Sequence, residues 1–82
     1  MIDRGEETLR AMGFAQCRVR HHGDVARIEI ARDDLPMALH LDVFDRISRE
    51  LKAIGFKFVA IDVDGYRTGA LNEVLTRIQK LS

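Results

Sequence analysis

Little in this sequence of 82 residues suggests chemistry of its own. Its single cysteine, Cys17, excludes an internal disulfide, and the opening Met-Ile-Asp-Arg lacks the basic-then-apolar run of a secretory leader, so a reducing, cytoplasmic setting is expected. No apolar stretch approaches the roughly 20 residues needed to cross a bilayer, and no membrane role is expected. Thirteen basic and 13 acidic side chains cancel, which argues against a general affinity for nucleic acid or membrane surfaces. An anion site, if present, must come from local clustering. There is no nucleophile elbow, phosphate-cradling glycine loop or serine–histidine–acid arrangement.

Metal readings fail on spacing. Cys17 and His21 are four residues apart on a predicted strand, roughly 13 Å, and adjacent His21 and His22 point to opposite faces, so structural zinc is not expected. Asp62, Asp64 and Glu73 fit the first, third and twelfth positions of a calcium loop, but Tyr66 and Arg67 stand where an oxygen ligand and a glycine belong. Asp62 and Asp64 are better explained as the residues that end a strand and shape a turn before Gly65.

With 46% hydrophobic and 32% charged residues, the chain can bury one modest core, so residues 1–82 should form a single domain. Helices are expected over 4–12 and 42–54. The second rests on Val43, Phe44, Ile47, Leu51 and Ile54 at helical spacing, with Asp42 as its N-cap. The endings Leu-Arg-Ala-Met-Gly-Phe (9–14) and Leu-Lys-Ala-Ile-Gly-Phe (51–56) both read as glycine-capped helix ends with a phenylalanine packing back. A third helix over 70–80 would turn Leu71, Val74, Leu75 and Ile78 inward. Residues 33–41 read as loop or one turn, since the only proline, Pro36, suits a helix start better than an interior. Strands are expected over 16–22, 25–31 and 57–63, and Phe58-Val59-Ala60-Ile61 is apolar on both faces, as in a covered strand. The order α-β-β-α-β-α implies an α+β fold, a small mixed three-stranded sheet with helices packed mainly on one face.

Gly23-Asp24 suits a two-residue hairpin turn. Pairing His22 with Val25 then sets Arg20 opposite Arg27 and Arg18 opposite Glu29 on one face, while Cys17–Ile30, Val19–Ile28 and His21–Ala26 line the other. Arg18, Arg20 and Arg27 would converge within about 5–8 Å at Cβ, with only Glu29 to offset them. Guanidinium forks match phosphate and carboxylate geometry, so this face is either an oxyanion site or a solvated sheet surface with splayed arginines. Arg67, after the third strand, is either a further contributor or an ordinary turn residue. Cys17 faces the core, where a thiol acts as a small hydrophobe.

The blocks Arg-Val-Arg-His-His-Gly-x-x-Ala-Arg-Ile-Glu (18–29) and Gly-Tyr-Arg-x-Gly-x-Leu-Asn-Glu (65–73), each preceded by Gly-Phe, carry a resemblance that covers nearly the whole chain. The sequence resembles the C-terminal domain of the ATP-dependent sacrificial sulfur transferases of the PP-loop superfamily. Those enzymes build the pyridinium bisthiocarboxylate mononucleotide that becomes the nickel pincer cofactor of lactate racemase. The resemblance implies that Arg18, Arg20 and Arg67 grip the phosphate of a mononucleotide substrate. It makes Glu6 and Glu29 accessory candidates that help to hold a metal only in a full active site, while Arg27 stays an accessory candidate from its register on the charged face alone. Read from the residues alone, Glu6 is a first-turn glutamate favourable to the helix dipole.

Family members carry a Ser-Gly-Gly-x-Asp-Ser loop that binds ATP and a cysteine in a Cys-Leu-x-Ser-Arg context that gives up its sulfur. Both motifs are absent, and Cys17 does not stand in for that cysteine. The resemblance therefore implies a chain that is not catalytic alone and holds no cofactor, with ATP and magnesium on a PP-loop domain in the same or a separate polypeptide. The expected partners are that domain and a phosphate-bearing mononucleotide. Two rival readings stand beside it: an interaction or regulatory module whose arginine face docks an acidic protein, and a homo-oligomerisation domain.

Overall fold

The computed structural model describes residues 1–66. Arg67 and the helix expected over 70–80 lie outside them. In chain order the elements are α1 (Ile2–Ala11), β1 (Cys17–His22), β2 (Val25–Ile30), a 3-10 turn (Arg32–Asp34), α2 (Leu35–Ala38), α3 (Leu41–Ile54) and β3 (Phe58–Ile61). The sheet order is β1-β2-β3, antiparallel between the first two strands and parallel between β2 and β3. This is the mixed α+β sheet expected.

The hairpin register follows from burial. Cys17 pairs with Ile30, Val19 with Ile28 and His21 with Ala26. Strand side chains alternate faces, so these residues share one face, and a slip of one position would expose them all. Cys17, Val19, Ala26, Ile28 and Ile30 are buried there under Leu9 of α1 and Ile47 and Leu51 of α3. Each large aliphatic side chain so buried contributes about 1.5–3 kcal/mol. His21 is exposed but sets its ring edge-on to Phe56, at 5.4 Å between centroids. At the hairpin turn Gly23 alone takes positive φ, 57°. The carbonyl of Asp24 accepts hydrogen bonds from the amides of both Lys57 and Phe58, at 3.0 and 3.1 Å, which fixes where β3 begins.

The two glycine-capped endings are the same motif twice. Phe14 N–H donates to the Leu9 carbonyl and Gly13 N–H to that of Arg10, both at 3.0 Å. Phe56 and Gly55 repeat the pattern onto Leu51 and Lys52 at 3.4 and 3.1 Å. Leu9, Phe14, Leu51 and Phe56 all enter the core.

Several boundaries differ from the expectation. The α1 helix starts at Ile2, so Glu6 sits mid-helix and Asp3 is the first-turn acid. The α3 helix starts at Leu41 with His40 in extended backbone as its N-cap, which moves Asp42 from the cap into the first turn. Its Phe44 is exposed rather than core. Residues 32–38 form helical turns with Pro36 near the start of α2, where its missing N–H costs nothing. The β3 strand stops at Ile61, and among the described residues it forms a sheet edge whose Phe58 is 61% exposed, not a covered strand. Composition could not show this, because an apolar residue on an open face reads like one in a core.

A candidate anion site on the open sheet face

Strand alternation and register assign the face away from α1 and α3. It carries Arg18, Arg20 and His22 from β1, Val25, Arg27 and Glu29 from β2, and Phe58 and Ala60 from β3. The three arginines expected to share a face do so, and their side chains divide into two groups.

Arg20 and Arg27 share Glu29. The Arg20 Nε lies 3.4 Å from Glu29 Oε1, and the Arg27 Nη2 donates to Oε2 at 3.1 Å. On its other side Arg27 Nε faces Asp62 Oδ2 at 4.0 Å, too far for a hydrogen bond, and that buried nitrogen has no acceptor among the described residues. Arg18, although opposite Glu29 in register, turns elsewhere. Its Nη1 donates to the Cys17 carbonyl at 3.0 Å, and its guanidinium carbon lies 4.9 Å from the centroid of the Tyr66 ring. That is cation–π distance.

The loop after β3 delivers Tyr66. Asp62 Oδ1 accepts the Asp64 N–H at 2.9 Å and the Asp62 carbonyl accepts the Gly65 N–H at 3.0 Å, a turn of the kind expected from the Asp-Val-Asp-Gly sequence. Gly65 is buried with φ of 78°, and a β-carbon there would sit 2.5 Å from the Ile30 carbonyl oxygen. Only glycine allows this approach. Tyr66 N–H then donates to that same Ile30 carbonyl at 2.8 Å, and Tyr66 forms a parallel bridge with Ala31. Tyr66 is thereby held at the end of β2 within reach of Arg18, and Arg67 lies outside the described residues.

Glu6 lies mid-helix rather than in the first turn of α1. Its Oε2 accepts the Val19 N–H at 3.1 Å on the outer edge of β1, and its Oε1 pairs with Arg10 at 3.7 Å. Glu29 belongs to the open face of β2, so the two carboxylates sit in different settings. Among the described residues no three His, Cys, Asp or Glu side chains converge as metal ligands. Cys17 is fully buried, with its Sγ 3.9 Å from the Glu6 carbonyl. Burial pushes the thiol pKa up; Arg10 opposes that shift, Glu6 adds to it and Arg18 opposes it. A largely apolar hollow between α3 and β3, lined by Phe44, Ile47, Val59 and Ile61 among others, has no cationic group among the described residues that line it.

Sequence reasoning missed Tyr66 and Asp62 as members of this face. The signal for Tyr66 was its place immediately before Arg67 in a glycine-led block. Asp62 required knowing that β3 runs parallel to β2, which carries its end toward Glu29.

No protein-family model matches the chain. It is 40% identical over 74 residues to the pyridinium-3,5-bisthiocarboxylic acid mononucleotide synthase of Lactiplantibacillus plantarum, a match that covers 90% of this chain and 26% of that protein. It is also 33% identical over 76 residues to the uncharacterized protein slr1717 of Synechocystis, covering 93% of this chain and 28% of the other. The chain thus spans about a quarter of the length of these curated relatives. No helix among the described residues is long and apolar enough to cross a membrane. With nine-tenths of its length matched at 40% identity, the chain is similar to the C-terminal part of the mononucleotide synthase.

Proposed function

We propose that this chain is the substrate-phosphate grip of a sulfur transferase of the nickel pincer cofactor type, not catalytic by itself. Arg18 and Arg20 present guanidinium donors to a phosphate monoester, and Arg67 joins them from the Gly-Tyr-Arg loop. The observation that supports the reading is the stacking of Arg18 on Tyr66, 4.9 Å from guanidinium carbon to ring centroid, because Tyr66 immediately precedes Arg67 in the sequence. Stacking fixes the plane of a guanidinium while its edge N–H groups can still meet oxygen acceptors. ATP and magnesium would belong to a PP-loop domain in the same or a separate polypeptide. There a substrate carboxylate would be adenylated, take sulfur from a cysteine and leave as thiocarboxylate, with dehydroalanine left behind. Glu6 and Glu29 would meet a metal only in that larger assembly.

Titration of the chain with inorganic phosphate and with nicotinate mononucleotide, followed by NMR, tests this. Shifts at Arg18, Arg20 and Arg67 at millimolar ligand are expected. Their absence would count against a self-sufficient site.

A second reading draws on Phe58. This large apolar side chain is 61% exposed on the same face as the arginines, which favours a protein partner carrying acidic and apolar groups together. An Arg18→Gln/Arg20→Gln chain separates the two: loss of partner binding, with phosphate affinity never present in the parent, favours docking.

A further inference from the structure

Glu29 sits where part of an incoming anion would. Its two carboxylate oxygens are divided between two arginines, 3.4 Å from Arg20 Nε and 3.1 Å from Arg27 Nη2. The Glu29 side chain is 13% exposed against 50% for Arg20 and 42% for Arg27, so the carboxylate lies below the guanidiniums, which reach outward to solvent. The arginines are therefore unequal. Arg27 has carboxylates on two sides, Glu29 and Asp62, Arg20 has Glu29, and Arg18 meets a backbone carbonyl and an aromatic ring.

The geometry points to Glu29 as an internal counter-anion that limits how tightly this site holds phosphate. The inference rests on the anion-site reading proposed above and adds to it a residue that opposes binding. At rest Glu29 relieves the mutual repulsion of Arg20 and Arg27, directly opposite one another in the register. When phosphate enters between Arg18 and Arg20, it must share Arg20 with a carboxylate of its own sign. Neutralising that carboxylate removes a repulsion acting over a few ångströms in a partly solvated setting, a change of roughly three- to tenfold in affinity. Arg27, occupied by two protein carboxylates, holds Glu29 in place and contributes little to the ligand directly. The chain carries both an attraction for phosphate and a brake on it, which suits a surface that must release its product.

The test is an NMR titration with inorganic phosphate at low ionic strength, comparing the parent chain with Glu29→Gln and Glu29→Asp. Cross-strand signals between Val19 and Ile28 report that the register is kept. Glu29→Gln is expected to bind roughly three- to tenfold more tightly, and the gain should shrink as salt screens the repulsion. Glu29→Asp, which withdraws the carboxylate by one methylene, should fall between the two and carries the test if Glu29→Gln does not fold. Unchanged or weaker binding by the variants, with the parent still binding at Arg18 and Arg20, overturns the counter-anion and leaves the anion site standing. No binding by any of the three overturns both.

Discussion

The guanidinium of Arg18 rests on the ring of Tyr66, and this contact ties the first strand of the sheet to the loop that leaves the last one. The two residues come from opposite sides of β2, Arg18 from β1 and Tyr66 from the chain beyond β3, which its parallel bridge with Ala31 holds beside the end of β2. Replacing the ring should free the arginine. Tyr66→Ala is expected to weaken phosphate binding about two- to fivefold, in line with the modest energy of an exposed cation–π contact. Tyr66→Phe should retain it, as the face of the ring makes the contact. Parallel phosphate titrations of the two variants check this.

Gly65 governs that delivery. With φ of 78° and the Ile30 carbonyl oxygen 2.5 Å from where a β-carbon would stand, Gly65→Ala combines backbone strain with a backbone clash. The expected loss is about 2–3 kcal/mol, read as a lower urea midpoint at unchanged slope. The same variant should lose the Tyr66 ring-current shifts at Arg18.

Two phenylalanines divide structure from surface. Phe14 is 1% exposed and caps α1 against the core, so Phe14→Ala should cost about 3–5 kcal/mol. Phe58, 61% exposed, should tolerate Phe58→Gln within about 0.5 kcal/mol, or gain solubility. A large loss at Phe58 in thermal unfolding would show that this face is covered.

Cys17 links stability to alkaline pH. Burial raises its thiol pKa above the unfolded value, so the folded state holds the thiol proton more tightly than the unfolded chain does. The stability associated with that proton is fully present below the unfolded thiol pKa and is lost as pH rises through the folded one. Urea midpoints measured from neutral pH into the alkaline range should fall more steeply for the parent than for Cys17→Ala. Native Cys17 should also react with thiol reagents only as fast as the chain opens.

The hairpin was the most legible part of the fold. Alternation from Cys17 to Ile30 permits one register that buries Cys17, Val19, Ala26, Ile28 and Ile30 together, and a turn glycine fixes it from within. The paired helix endings were legible for a similar reason, since Leu-x-x-x-Gly-Phe encodes its own hydrogen bonds. Ends governed by distant contacts were not. His40 caps α3 with extended backbone and no side-chain hydrogen bond, so nothing in its identity competes with Asp42 as a signal. Phe58 reads as buried because hydrophobicity does not reveal which face of a strand has a neighbour. At the site, residue identity placed three arginines together, but which of them shares a carboxylate depends on side-chain direction: Arg18 faces Glu29 across the ladder and yet turns to Tyr66.

The hydrogen bond from the Val19 amide to Glu6 has a consequence for how the chain behaves in company. The β1 strand is an edge of the sheet among the described residues, and such an edge ordinarily offers its N–H groups as a template for another strand. Here a carboxylate from α1 occupies the donor at mid-strand and presents negative charge to any approaching backbone carbonyl. Intermolecular strand addition at β1 is thereby discouraged. Replacing Glu6 with alanine would leave that template open, and self-association through β1 would then rise with concentration even where the monomer's stability is little changed.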